Sequence, residues 1–138
     1  MKSLDFLDTN ILLYSISKNP GEAEKNRIAI GLLDRKDIAL SIQVLQEFYV
    51  QATRPTRPDA LSHELAVGFI SEWKRFQIQE NTLAVLAEAL EIKSAHGYSF
   101  WDCTIISAAG ALGCRRLYTE DMQHGREVEG VLIVNPFS

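Results

Sequence analysis

The stretch LDFLDTNILLY, residues 4–14, decides the fold of this chain. An apolar run stops at Asp8, turns through Thr9 and Asn10, and resumes as a second apolar run. Aspartate is a favoured N-cap residue, so Asp8 could start a short helix near Asn10. Ligands also gather at the carboxyl ends of buried parallel strands, so Asp8 could equally hold a metal ion. Both interpretations are open on local grounds.

Short apolar runs alternate with helical patterns along the whole chain. About five strands are predicted, at 4–8, 38–40, 76–78, 116–119 and 131–134. Several of these runs contain no polar residue, as expected of strands buried on both faces. Strands that alternate with helices predict an α/β fold with a central, mostly parallel sheet and helices on both of its faces.

Capping and breaking residues mark the helices between these strands. The predicted helices run over 22–34, from the cap Ser41 to about Arg54, from Asp59 or Ser62 to about Trp73, from Thr82 to the stop at Gly97, and from Ser99 to about Leu112. Without repeats or linkers, the 138 residues predict one domain, 1–138.

The composition narrows the class of protein. The net charge of −4 argues against a broad basic surface for nucleic acid, but it does not exclude a nucleic-acid enzyme with an acidic site and a few local cations, such as Arg54 and Arg57. Acids interrupt any leader-like apolar segment at the N-terminus, so a cytoplasmic location is expected. Cys103 and Cys114 form no C-x-x-C pattern and are predicted to be buried thiols.

Three further carboxylates have both a structural and a chemical interpretation: those of Asp102, Glu47 and Asp121. Asp102 carries the strongest signal. Asp102 lies three residues after Ser99, which is the spacing of a capping box, yet it shares a helix face with the apolar Ile105 and Ile106. A carboxylate on an inward face is normally paired or bound to a cation.

Glu47 and Asp121 carry weaker signals. The predicted buried stripe of the helix after Ser41 is Ile42, Leu45, Tyr49 and Ala52, which leaves Glu47 on the solvated side, either on plain surface or on a cleft wall. Asp121 follows a strand and could be a turn residue or a site residue.

Together with Asp8 and Asp102, these acids would repel each other without a cation. Oxygen ligands select Mg²⁺ or Mn²⁺ over zinc, and carboxylate-held metal ions suit phosphodiester hydrolysis.

Four segments, in this order, resemble the PIN-domain family of metal-dependent ribonucleases, and most of all the VapC-type toxins of toxin–antitoxin pairs. The segments are FLDTNILLY (6–14), LQEFYV (45–50), YSFWDCTIISAA (98–109) and LYTEDMQHG (117–125). The resemblance implies a three-layer α/β/α fold, an RNA substrate, one or two Mg²⁺ or Mn²⁺ ions, a homodimer and a small antitoxin protein.

The resemblance also assigns residues to the site. It implies that Asp8, Glu47, Asp102 and Asp121 are the catalytic, metal-binding acids, and that Thr9, Asn10, Thr119 and Glu120 lie beside them. Arg54 and Arg57 are candidates for contact with substrate phosphates. Trp73, Tyr98 and Trp101 could stack on bases, although packing in a core or a dimer interface is favoured.

Three other classes of protein compete with this hypothesis. A receiver-like phosphoacceptor would need paired acids after the first strand and a lysine near the last strand, but Asp8 stands alone and no lysine follows Lys93. A phosphohydrolase would need a second acid at Asn10. A non-catalytic PIN-like module that binds RNA or protein would usually lack one of the four acids.

Overall fold

The computed structural model describes residues 3–138, so Met1 and Lys2 of the predicted domain 1–138 lie outside the described residues. Among residues 3–138 there are six strands: β1 (Asp5–Leu7), β2 (Ile38–Ser41), β3 (Gln77–Gln79), β4 (Arg116–Tyr118), β5 (Glu127–Val128) and β6 (Val131–Val134). The helices are α1 (Thr9–Ser15), α2 (Ala23–Leu33, after a 3-10 turn at Pro20–Glu22), α3 (Ile42–Ala52), α4 (His63–Trp73), α5 (Leu83–His96) and α6 (Phe100–Ala111).

The strands form one sheet in the order β3-β2-β1-β4-β6-β5. All neighbouring pairs are parallel except β5 and β6, which are antiparallel. The predicted α/β fold with a mostly parallel sheet is therefore confirmed. The strand that the sequence analysis missed is β5, a two-residue segment joined to β6 by a tight turn in which Glu129 and Gly130 both have positive φ, 50° and 83°. Positive φ at both turn residues is the requirement of a type I′ hairpin.

The chain order creates a switch point beside β1. The chain moves outward from β1 to β2 and β3, then returns to the other side of β1 as β4. Right-handed crossovers place α1 to α4 on one face and α5 and α6 on the other, which gives the predicted three layers. In such sheets a crevice forms at the carboxyl ends of the two strands that flank the switch point, here β1 and β4.

The core lies on both faces of the central strands. Phe6 and Leu7 of β1 and Leu40 of β2 are fully buried, as expected of strands covered on both sides. Helix α6 packs on α5 and on β2, β3, β4 and β6, and most of its residues are buried. Cys103 and Cys114 are buried thiols as predicted, and burial raises the pKa of Cys114 to about 12.

Side-chain caps begin most of the helices. Ser41, Ser62, Thr82 and Ser99 each accept a hydrogen bond from a backbone N–H in the first turn of α3, α4, α5 and α6. Ser62, rather than Asp59, starts α4; Asp59 instead pairs with Arg57 at 2.8 Å. Gly97 ends α5 with a φ of 73°, a conformation that strongly favours glycine. Among residues 3–138, none of the helices has the length and hydropathy of a membrane span.

A buried carboxylate at the amino end of β1 is fully paired. Asp5 has no exposed surface, and its oxygens contact Arg35 at 2.6 Å, Arg116 at 3.1 Å and Arg115 at 3.6 Å. Arg35 also pairs with Asp37 at 2.7 Å, and these hydrogen bonds raise its pKa. This cluster joins the first strand to the end of α2 and the start of β4.

Replacing Asp5→Asn should lower the free energy of unfolding by about 2–3 kcal/mol, the usual range for a hydrogen bond to a charged group. Urea unfolding at neutral pH, followed by circular dichroism, measures this loss. Asp37→Asn is the matched control, because Asp37 also pairs with Arg35 but its side chain is 34% exposed. The control should lose less than about 1 kcal/mol, and equal losses would contradict a special role for Asp5.

Candidate active site

A cavity of about 190 Å³ opens at the carboxyl ends of β1 and β4. We call this cavity the acid cleft. All four predicted acids line it, although they come from separate segments of the chain. The lining residues are Asp8, Thr9, Asn10, Leu13, Glu47, Gln51, Trp101, Asp102, Ile105 and Asp121. Among these described lining residues there is no lysine, arginine or histidine, so the cleft is strongly acidic.

Asp8 is both a helix cap and a cleft residue, so the two interpretations of the opening stretch are compatible. It is only 7% exposed. One carboxylate oxygen accepts the Thr9 backbone N–H at 2.7 Å, which caps α1, and the other accepts the Thr119 hydroxyl at 2.8 Å. Burial raises the pKa of Asp8 to about 6, and the charges of Glu47 and Asp121 add to the rise, while the two hydrogen bonds oppose it.

Each residue of the Asp8-Thr9-Asn10 tripeptide contacts a different part of the acid cluster. The Thr9 hydroxyl donates to Glu47 at 2.6 Å, and the Asn10 amide donates to Asp121 at 2.9 Å. The tripeptide therefore supplies one acid, Asp8, and orients two others, Glu47 and Asp121, which are distant from it in the sequence.

Thr119 connects the tripeptide to the segment after β4. Its fully buried hydroxyl donates to Asp8 and accepts the Asp121 backbone N–H at 3.1 Å. Thr9, Asn10 and Thr119 thus all contact the acids, and the Thr119 hydroxyl links the carboxylate after β1 to the acid after β4.

Asp102 reaches the cleft from the first turn of α6. Its backbone N–H donates to the Ser99 hydroxyl at 3.2 Å, so Ser99 caps the helix as predicted. Ile105 and Ile106 are buried, which confirms that this face of α6 turns inward. Burial raises the pKa of Asp102, Ser99 opposes the rise, and the negative charges of Asp121 and Glu47 add to it.

Glu47 lies on the wall of the cleft, half-buried, with Gln51 one turn further along α3. The predicted buried stripe of α3 was partly wrong. The buried residues are Val44, Leu45, Phe48 and Ala52, whereas Ile42 and Tyr49 are only partly buried. The helix is rotated from the predicted orientation because Phe48 packs edge-on against Trp73 of α4, with ring centroids 4.7 Å apart.

The PIN domain sequence model matches residues 6–126, which includes all four acids. The chain belongs to the PIN domain family. No curated protein sequence matches it.

Solved structures share the fold at low sequence identity. A toxin–antitoxin complex from Klebsiella pneumoniae has a TM-score of 0.71 and 18% identity, covering 96% of this chain and 98% of that chain. The toxin VapC20 from Mycobacterium tuberculosis, described as cleaving the sarcin–ricin loop, has a TM-score of 0.65 and 20% identity, covering 85% and 89%. FitAcB from Neisseria gonorrhoeae has a TM-score of 0.66 and 18% identity, covering 96% and 98%. These likenesses confirm the predicted α/β/α fold.

Glu120 does not line the acid cleft of this PIN domain. Its backbone N–H reaches the Asn10 side-chain oxygen at 3.4 Å, but its carboxylate turns away, accepting the Tyr14 hydroxyl at 2.6 Å and pairing with Lys25 of α2. Burial raises the pKa of Glu120, but the hydrogen bonds from Lys25 and Tyr14 outweigh this effect and hold it below its usual value. The sequence does not show this because Glu120 and Asp121 are adjacent acids that point in different directions.

The two candidate arginines differ in their position relative to the acid cleft. Arg57 lines a neighbouring cavity that shares Asn10 and Leu13 with the cleft, and it pairs with Asp59 at 2.8 Å. Arg54 is exposed and is not among the residues that line the acid cleft. The apolar Leu13 and Ile105 also line the cleft and were not predicted, since nothing separates them in the sequence from ordinary core residues.

The donor set of the PIN domain cleft fits a hard divalent cation. The four acidic side chains of the cleft offer carboxylate oxygens, and such oxygens suit Mg²⁺ or Mn²⁺ better than zinc. Across residues 3–138 no three acidic, histidine or cysteine side chains form a preassembled metal-binding group. Hydrogen bonds from Thr119, Thr9 and Asn10 engage one oxygen each of Asp8, Glu47 and Asp121.

Removing the charge of Asp8 should stabilise the metal-free PIN domain at neutral pH. The folded-state pKa, about 6, lies above the ordinary 3.8. The contribution of Asp8 to stability is therefore full below about pH 4, falls as the pH rises through about 6, and stays lower above it. Asp8→Asn, which still caps α1, should raise the free energy of unfolding at pH 7 by about 2–3 kcal/mol.

Urea unfolding in chelator, repeated across this pH range, measures the effect. Glu120→Gln is the matched control with the opposite sign, because its charge is stabilised by Lys25 and its loss should weaken the fold. An unchanged pH profile in Asp8→Asn would contradict the assignment of the raised pKa to this residue.

Proposed function

We propose that the protein is a divalent-metal-dependent endoribonuclease, formed by a single PIN nuclease domain over residues 1–138, and the toxin of a toxin–antitoxin pair. One observation supports the proposal above the others. Asp8, Glu47, Asp102 and Asp121 converge on one cleft that has no cationic side chain among its described lining residues. Such a cluster needs a bound cation, and carboxylate-held cations suit phosphodiester hydrolysis.

In this proposal Asp8, Asp102 and Asp121 hold one or two Mg²⁺ or Mn²⁺ ions, with Glu47 as a further ligand or a contact through water. A bound divalent cation supplies Lewis acidity for the attack of water on phosphorus. The chain itself positions the carboxylates: Thr119 orients Asp8, Thr9 orients Glu47, and Asn10 orients Asp121. Residues that orient ligands tune the site almost as strongly as the ligands do.

The proposed substrate is RNA in the cytoplasm. Support comes from the similar fold of VapC20, which is described as cleaving the sarcin–ricin loop. We propose that Arg57, on the cavity beside the cleft, contacts a phosphate that flanks the scissile one, and that Arg54 on the same loop contributes a second cation. Phosphate contacts of this kind position the backbone and read no sequence.

An antitoxin and a second copy of the chain complete the proposal. The similar structures include a toxin–antitoxin complex, which supports a small protein partner. A homodimer is supported by exposed apolar side chains on α5, where Leu83 is 82% and Leu90 52% exposed. Patches of this kind often mark contacts between proteins.

A non-catalytic PIN-like module that binds RNA or protein is the second candidate. The observation that favours it is the lack of a preassembled three-ligand metal group within residues 3–138. The two candidates differ in whether a cation binds the acid cleft and whether RNA is then cut.

Purified protein should cut a mixed pool of single-stranded RNA with Mg²⁺ or Mn²⁺ and lose this activity in chelator. Asp102→Asn should reduce the cleavage rate by at least about 100-fold, since losing even a partner of a metal ligand costs 10–100-fold. Glu88→Gln, an exposed acid of α5 outside the cleft, is the control and should keep full activity. Cutting that persists in chelator or in Asp102→Asn would contradict the proposal.

Metal binding should be measurable without any RNA. At about 100 times its Kd, Mg²⁺ or Mn²⁺ should raise the free energy of unfolding by about 2.7 kcal/mol. Asp8→Asn should lose most of this gain, whereas Glu120→Gln, whose carboxylate faces Lys25, should keep it. Urea unfolding with and without metal checks both variants. Equal stabilisation of wild type and Asp8→Asn would show that the ion binds elsewhere.

A further inference from the structure

Trp101 is an exposed indole on the wall of the acid cleft. Its residue is 61% exposed, whereas the other tryptophan, Trp73, is 4% exposed and packs in the core. Tryptophan is highly buried on average, because its large apolar surface gains most from leaving water. The exposure of Trp101 next to Asp102 therefore indicates that its side chain binds a ligand.

The first turn of α6 holds Trp101 firmly. The Trp101 carbonyl accepts the Thr104 hydroxyl at 2.6 Å, and Ser99 caps the same turn. The Phe100 ring meets the indole edge-on, with centroids 5.0 Å apart. The indole is thus supported on one side by its own helix while most of its surface stays open.

The chemistry of the acid cleft identifies the ligand of this surface. Among its described lining residues there is no cationic side chain, so phosphates are not held there by lysine or arginine. Trp101 is the one aromatic residue among those described lining residues. Aromatic rings bind nucleic acid by stacking on the face of a base, and that face is free only in an unpaired nucleotide.

We propose that Trp101 is a stacking platform for an unpaired nucleobase adjacent to the phosphate bound at the acid cleft. The inference deepens the proposed ribonuclease function and rests on it. It assigns recognition of single-stranded segments to a base-binding subsite beside the carboxylates. A paired duplex, whose bases are stacked on each other, offers no such face to Trp101.

Tryptophan fluorescence tests the subsite directly. In a Trp73→Phe background, which keeps an aromatic ring in the core, the emission comes from Trp101 alone. The probes are a short oligoadenylate and an abasic ribose-phosphate oligomer of the same length and charge. Titrations use Ca²⁺, which binds oxygen ligands with flexible geometry, and gel analysis verifies that the RNA stays intact.

Oligoadenylate should quench the Trp101 emission, and the abasic oligomer should not. In an otherwise wild-type chain, Trp101→Ala should weaken oligoadenylate binding by about 5- to 150-fold, the range expected for one base–aromatic stack. Trp101→Phe should retain most of the affinity. Leu65→Ala, which removes a similarly exposed apolar side chain from the first turn of α4, is the matched control and should bind normally.

Three results would overturn the inference: equal quenching by the abasic oligomer, unchanged binding by Trp101→Ala, or an emission change that depends on protein concentration alone. The last would show that a second copy covers Trp101. The inference and the nuclease proposal fail separately. RNA cleavage with an unchanged KM in Trp101→Ala removes only the subsite, whereas base-dependent quenching without cleavage supports the subsite and removes the nuclease.

Discussion

The hydrogen bond from Thr119 to Asp8 is the contact on which the site depends. It joins the ends of β1 and β4, the two strands that flank the switch point of the sheet. The Asp8 carboxylate is nearly inaccessible to water, so without this partner a buried acceptor would be left unsatisfied. The same hydroxyl accepts the Asp121 backbone N–H, so one side chain sets the positions of two acids.

The two ends of β1 show how burial of a carboxylate can serve structure or chemistry. Asp5, at the amino end, is surrounded by arginines and stabilises the fold. Asp8, three residues later, meets only neutral donors and other acids, and burial raises its pKa to about 6. A buried carboxylate without a counter-cation weakens the fold, and such groups are characteristic of functional sites. The contrast between the two ends of β1 supports a metal site at Asp8, just after the strand, and a structural role for Asp5.

Much of the fold could be predicted from the sequence because local physics determines strands and helix starts, whereas the four acids were grouped into one site by the resemblance to the PIN-domain family. Strands buried on both faces leave uninterrupted apolar runs, and caps such as Ser41 and Thr82 mark helix starts. The two-residue β5 was missed because it depends on pairing with β6. The rotation of α3 depends on the packing of Phe48 against Trp73, and the outward turn of Glu120 depends on Lys25, which lies far away in the sequence. Long-range contacts of this kind leave no local pattern.

Trp101 and Asp102 are adjacent in the sequence, yet helix geometry lets them contact different parts of a ligand in the same cleft. Successive residues on a helix point about 100° apart. Asp102 is therefore half-buried at the acids while Trp101 stays on the open wall of the same cleft. An acidic cleft repels phosphates until a cation is bound, so it gains little affinity from the nucleic-acid backbone alone. A stacking surface beside the acids contributes affinity that does not depend on charge, and it favours a chain whose bases are free over a paired duplex.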